Sequence, residues 1–119
     1  MRHGSGEEVT WPNAVAKRTV LDDGTVVLVL HGELDIAVND ALRDILVDTI
    51  TVQRPPRIVV NMRHVAFVDS TGISALLAGY NAAREAGVVY EVSDLAPFIE
   101  QQLKATGVLD RLVTPDTDG

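Results

Sequence analysis

Apolar residues along this chain switch between two rhythms, one of strands and one of helices. Val26-Val27-Leu28-Val29-Leu30 and Ile58-Val59-Val60 are unbroken apolar runs rich in β-branched side chains, and the second has the pattern of a strand covered on both faces. The first run predicts a central strand over Thr25–Leu30. Asp22-Asp23-Gly24 reads as the hairpin turn that feeds it from an earlier strand near Ala14–Leu21. Leu42, Ile45, Leu46 and Ile50 then recur at helical spacing, with Arg43, Asp44 and Asp48 turned to the other side. Asn39 or Asp40 is positioned to cap that helix, and Pro55-Pro56 must stop it.

A strand over Arg57–Asn61 follows. Ile73, Leu76, Leu77 and Tyr80 mark a second helix, with Asp69 or Ser70 as its N-cap and Gly87 as its C-terminal stop. Val88–Val92 is a further strand. Ser93 or Asp94 is expected to open a third helix, which tolerates Pro97 in its first turn and ends at Gly107. Strands alternating with helices define an α/β domain whose later strands are joined by right-handed crossovers and so run parallel. The opening hairpin makes the sheet mixed. With 119 residues there is room for one such domain, expected over residues 11–113, with residues 1–10 and 114–119 polar and mobile.

Composition narrows the function. The chain is 46% hydrophobic but only 4% aromatic, so its core must be assembled from Val, Leu, Ile and Ala. The run Val26–Leu30 is too short to cross a bilayer, and the N-terminus lacks the apolar centre of a secretory signal, which points to the cytoplasm. Ten basic against seventeen acidic residues leave a formal charge of −7, which disfavours capture of nucleic acid or anionic lipid. Without Cys there is no disulfide, thiolate metal site or thiol switch.

Chemistry concentrates at Asp69-Ser70-Thr71-Gly72, between an apolar strand and an apolar helix. Ser70 reads either as a helix cap or as a hydroxyl open to modification, with Thr71 the weaker acceptor. Asp69 would orient that hydroxyl or cap the helix. Gly72 would relieve a tight turn or, lying exposed, let a partner's backbone approach. The tetrapeptide superficially looks like the Asp-Thr/Ser-Gly of aspartic proteases, but its Gly comes one position late and no second copy supplies the other carboxylate. There is no Gly-x-Ser-x-Gly elbow, and no phosphate loop or dinucleotide fingerprint. His3, His31 and His64 are scattered singly without zinc spacing. No catalytic residue, cofactor or metal is expected. Gly32-Glu33-Leu34-Asp35 reads as a loop after the central strand, serving turn chemistry or partner contact.

Asn61-Met62-Arg63-His64-Val65-Ala66-Phe67-Val68-Asp69-Ser70-Thr71-Gly72-Ile73 resembles the signature of STAS domains, in particular the free-standing anti-sigma factor antagonists. His31-Gly32-Glu33-Leu34-Asp35 is similar to the family's Gly-Glu-Leu-Asp element, and Asp94-Leu95 through Leu112 to its C-terminal helix. Together these matches cover roughly residues 19–113. The resemblance implies a STAS fold and a non-enzymatic, partner-switching role in stress-responsive transcription. Unphosphorylated, such a protein binds an anti-sigma factor with serine kinase activity and frees a sigma factor. Phosphorylation, here of Ser70, releases that partner, and a PP2C-type phosphatase restores binding. It also implies a contact surface of Glu33, Leu34, Asp35, Asp69, Ser70, Thr71, Gly72 and Ser74 on a monomer or weak dimer. The alternative is a STAS scaffold or sensor subunit of a larger signalling assembly. Two positions depart from the family pattern: Asn61 stands where Asp is usual, and Arg63 where a small polar residue is usual.

Overall fold

In the computed structural model, which describes residues 7–107 and Leu112, strands β1 (Glu7–Trp11), β2 (Ala14–Val20), β3 (Val26–Leu34), β4 (Arg57–Val68) and β5 (Val89–Ser93) lie side by side in chain order. The β1–β2 and β2–β3 pairs are antiparallel, and the β3–β4 and β4–β5 pairs are parallel. Helices α1 (Asn39–Asp48), α2 (Ser70–Ala86) and α3 (Pro97–Ala105) complete the mixed α/β architecture.

Leu28, Leu30 and Leu34 from β3 meet Ile58 and Met62 from β4, Leu42 and Leu46 from α1, Leu76 from α2, and Ile99 and Leu103 from α3 in one fully buried cluster. Val27, Val29 and His31 fall on the other, less covered face of β3. Among the described residues no helix is long and apolar enough to cross a membrane.

Several boundaries differ from those expected. Residues 7–10, expected to be mobile, belong to β1, which pairs with β2 from Glu7↔Arg18 to Trp11↔Ala14. Half-buried Trp11 packs on the core, and Arg18 donates to the Glu7 carboxylate. Residues 1–6 and the tail 114–119 lie outside the described residues.

The cap of α1 is Val38, which has no capping side chain. Asp35 shapes the entry instead: its Oδ1 accepts from the Ala37 N–H at 3.0 Å and its carbonyl from the Val38 N–H at 3.0 Å. Asn39 and Asp40 therefore sit inside the first turn, where Asp40 favours the positive end of the helix dipole. Past Asp48 the helix loosens into a π-helical turn, Thr49–Gln53, closed by Arg54 at φ 46° just before Pro55-Pro56. The third helix opens at Pro97 rather than at Ser93 or Asp94. Asp94 adopts φ 59°, and Ala96 is extended, at ψ 148°, because a residue preceding Pro avoids the helical region.

The two central strands are longer than their apolar runs. β3 continues through Gly32-Glu33-Leu34, the segment expected to be a loop, and β4 continues from Asn61 to Val68. Their register shifts between Val29 and His31, and again between Gly32 and Glu33. On β4 those shifts coincide with the adjacent exposed pairs Arg63-His64 and Ala66-Phe67, as bulges require when two residues oppose one. Gly32 is obligatory for the continuation. Its φ is +97°, and a Cβ there would lie 2.2 Å from the Asn13 carbonyl oxygen, which accepts from the Glu33 N–H at 2.9 Å.

Candidate functional site

At the C-terminal ends of β3 and β4 the chain turns directly into α2. Leu34 pairs with Val68, and the Asp69 N–H donates to the Leu34 carbonyl at 3.2 Å. Asp69, extended at ψ −174°, is the N-cap. Its Oδ1 accepts from the Thr71 N–H at 2.9 Å, the Gly72 N–H at 3.0 Å and the Thr71 hydroxyl at 2.5 Å. The Thr71 hydroxyl does most to hold the Asp69 carboxyl below the usual carboxylate range. Backbone N–H groups of Gly72, Thr71 and Ile36 add to this, and partial burial opposes it.

Ser70 is thus the first helical residue rather than the cap. Its side chain is exposed, and its hydroxyl has no hydrogen-bond partner among the described residues. Thr71 differs: it is half-buried and its hydroxyl is committed to Asp69. Two hydroxyls adjacent in sequence therefore have opposite chemical availability.

The other expected contact residues divide sharply. Glu33 and Ser74 are exposed, and Asp35 is half-buried with its carboxylate engaged in the turn before α1. Leu34 is 0% exposed, so its expected place on the contact surface is corrected: it is core. Gly72 is also buried, not exposed. A Cβ there would lie 2.5 Å from the Leu34 carbonyl oxygen and 3.1 Å from Val68 Cγ1. The close approach that Gly72 permits is between α2 and the end of β3, within this domain, and not to a partner's backbone.

Ile36 and Phe67 were missed by the sequence reasoning. They are 76% and 45% exposed, and they flank the turn, Ile36 just past Asp35 and Phe67 in register with Glu33. An isolated apolar residue in the polar stretch after Asp35, and the broken alternation at Ala66-Phe67, were the available signals. Lower on the sheet, Asn61 accepts from the Arg63 N–H at 2.9 Å and donates its amide to Asp94 Oδ2 at 2.8 Å. An Asp at 61 would set two carboxylates against each other there.

Residues 16–117 match the family model of the STAS domain. The chain belongs to the STAS domain family. An anti-sigma F factor antagonist from Paenibacillus polymyxa is 27% identical over 85 residues, 71% of this chain and 73% of that protein. The STAS fold recurs in an anti-sigma factor antagonist from Mycobacterium paratuberculosis, with TM-score 0.73, 23% identity, and coverage of 89% of this chain and 88% of that one. It also recurs in unphosphorylated SpoIIAA, an anti-sigma factor antagonist, with TM-score 0.72, 19% identity, and coverage of 82% and 85%. A Bacillus SpoIIAA in its phosphorylated form aligns at TM-score 0.66 with 19% identity over 82% of this chain and 88% of that one.

Proposed function

We propose that this STAS domain is an anti-sigma factor antagonist whose partner, an anti-sigma factor with serine kinase activity, is bound when Ser70 is unmodified and released when Ser70 is phosphorylated. The observation that carries this reading is the contrast between the free, exposed hydroxyl of Ser70 and the committed hydroxyl of Thr71. The relatives named antagonists, with SpoIIAA structures solved in an unphosphorylated and in a phosphorylated form, support it.

In the transfer step the Ser70 oxygen forms a bond to the γ-phosphorus of kinase-bound ATP. The bond to the bridging oxygen of ADP breaks, and the hydroxyl proton passes to a base on the kinase. Glu33, Asp35 and Ser74 supply the polar part of the contact surface around Ser70, and Ile36 and Phe67 its apolar part. A PP2C-type phosphatase resets the switch in the cytoplasm, and the domain itself performs no catalysis.

Within the turn the phosphate finds few free donors. The Thr71 and Gly72 N–H groups are held by the Asp69 carboxylate and the Ile73 N–H by the Asp69 carbonyl. The added charge of about −1.5 to −2 therefore projects toward the partner beside an existing carboxylate, and the fold is left intact. Incubation with an anti-sigma kinase and ATP, followed by peptide mapping, tests the assignment. Label is expected on Ser70 and absent from Ser70→Ala. Label mainly on Thr71 or Ser74 would overturn it.

A further inference from the structure

His31 and His64, scattered in the sequence, are brought together by the fold. They are direct partners across β3 and β4, with their rings stacked at a centroid distance of 4.5 Å and an interplanar angle of 9°. The register shifts on either side confine this arrangement to the His31–His64 and Gly32–Val65 steps, so the backbone fixes which two side chains meet. No group among the described residues hydrogen-bonds either ring. His31 is half-buried and His64 is exposed, so solvent reaches the pair.

We propose that His31 and His64 form a two-imidazole chelate for a borderline divalent transition metal ion of the zinc class, each ring giving one nitrogen. Imidazole nitrogen is a preferred ligand for such ions, whereas Mg²⁺ and Ca²⁺ require oxygen. Neighbouring strands lie about 4.8 Å apart, and two nitrogens in a tetrahedral zinc shell are about 3.4 Å apart at the usual bond length. A modest rotation of each ring out of the stack therefore brings the nitrogens to bonding separation. Because the strands hold both ligands, the second bond forms without a further search, which is what separates a chelate from a lone surface histidine.

Burial, then His64 and Lys17, depress the His31 pKa against the opposing pull of Glu8. No group of three or more His, Cys, Asp or Glu among the described residues is placed to hold a metal ion together, so the remaining coordination positions go to water or to a donor from another molecule. The ion would clamp β3 to β4 shortly before they end at Leu34 and Val68.

The test uses Zn²⁺ alone and the untagged full chain in a His3→Ala background, which removes the third histidine. Calorimetry is expected to give one Zn²⁺ per chain, and ring resonances of both histidines should shift together, with no response to Mg²⁺. His31→Gln and His64→Gln should each weaken binding by at least about tenfold with unchanged circular dichroism. The zinc-induced rise in melting temperature should disappear in both. Absence of heat and ring shifts, binding that survives both substitutions, or a loss confined to one of them would each overturn the chelate.

Discussion

From Val26/Ile58 to Val29/Asn61 the β3–β4 pair runs in unbroken register, and its alternate residues on β3 are buried. Between Val29/Asn61 and Leu34/Val68 the same two strands slip twice, and β4 turns Arg63, His64, Ala66 and Phe67 outward. The regular half builds the core. The irregular half spends ladder regularity on presenting side chains, and it delivers Asp69 to the spot where its N–H reaches Leu34 and its carboxylate caps α2. The same division recurs within the turn. Leu34 and Gly72 hold it from inside, while Ser70, Ser74, Ile36 and Phe67 face solvent.

The largest effect expected is from Gly72→Leu. The clashing atom is a strand carbonyl that cannot rotate away, so overpacking should cost about 3 kcal/mol or more. Urea denaturation should show most of the folded population lost, and a near-native midpoint would mean that α2 can back away from β3. Leu34→Ala follows, at about 2–5 kcal/mol for a fully buried leucine. Its surface counterpart Phe67→Ala should stay within about 0.5 kcal/mol while weakening anti-sigma binding. Equal stability losses for the pair would erase the distinction between support and surface.

Asp69→Ala should cost about 1 kcal/mol through the lost cap, with a pH signature. Because the folded carboxyl titrates below its unfolded value of about 3.9, its contribution is complete above that pH and is lost as pH falls through the folded value. Stability of the parent should therefore fall more steeply below about pH 4 than that of Asp69→Asn, which keeps a capping oxygen but does not titrate. Parallel acid limbs would remove Asp69 as a contributor. Ser70→Ala comes last, with a stability change within about 0.5 kcal/mol, since the hydroxyl bonds nothing among the described residues.

Legibility in the sequence followed the same division. Val26–Leu30 and Ile58–Val60 alternate or run apolar without interruption, and the strands they mark are present. Leu42, Leu46, Ile73 and Leu76 marked the buried faces of α1 and α2. The upper half of β4 was missed because each bulge places two outward residues in succession, which destroys the period that identifies a strand.

The turn Asp69–Gly72 was recognisable from its residues. The roles inside it were not, because the burial of Leu34 and Gly72 depends on how closely α2 approaches β3, and no local pattern encodes that distance. A phosphate on Ser70 meets few unpaired helix N–H groups for a related reason. Asp69 and Ser70 competed for the cap in the sequence, and once Asp69 takes it, two of those donors are occupied.

Release on phosphorylation is tested most directly by calorimetric titration of the anti-sigma factor, recovered by capture on Ser70→Ala, with the unmodified chain and with the chain phosphorylated on Ser70. Burying the new charge beside Asp69 should weaken binding by about a hundredfold or more, with superimposable circular dichroism spectra for the two forms. Equal affinity of the two forms, or a global spectral change on phosphorylation, would contradict a switch worked by local electrostatics on a standing fold.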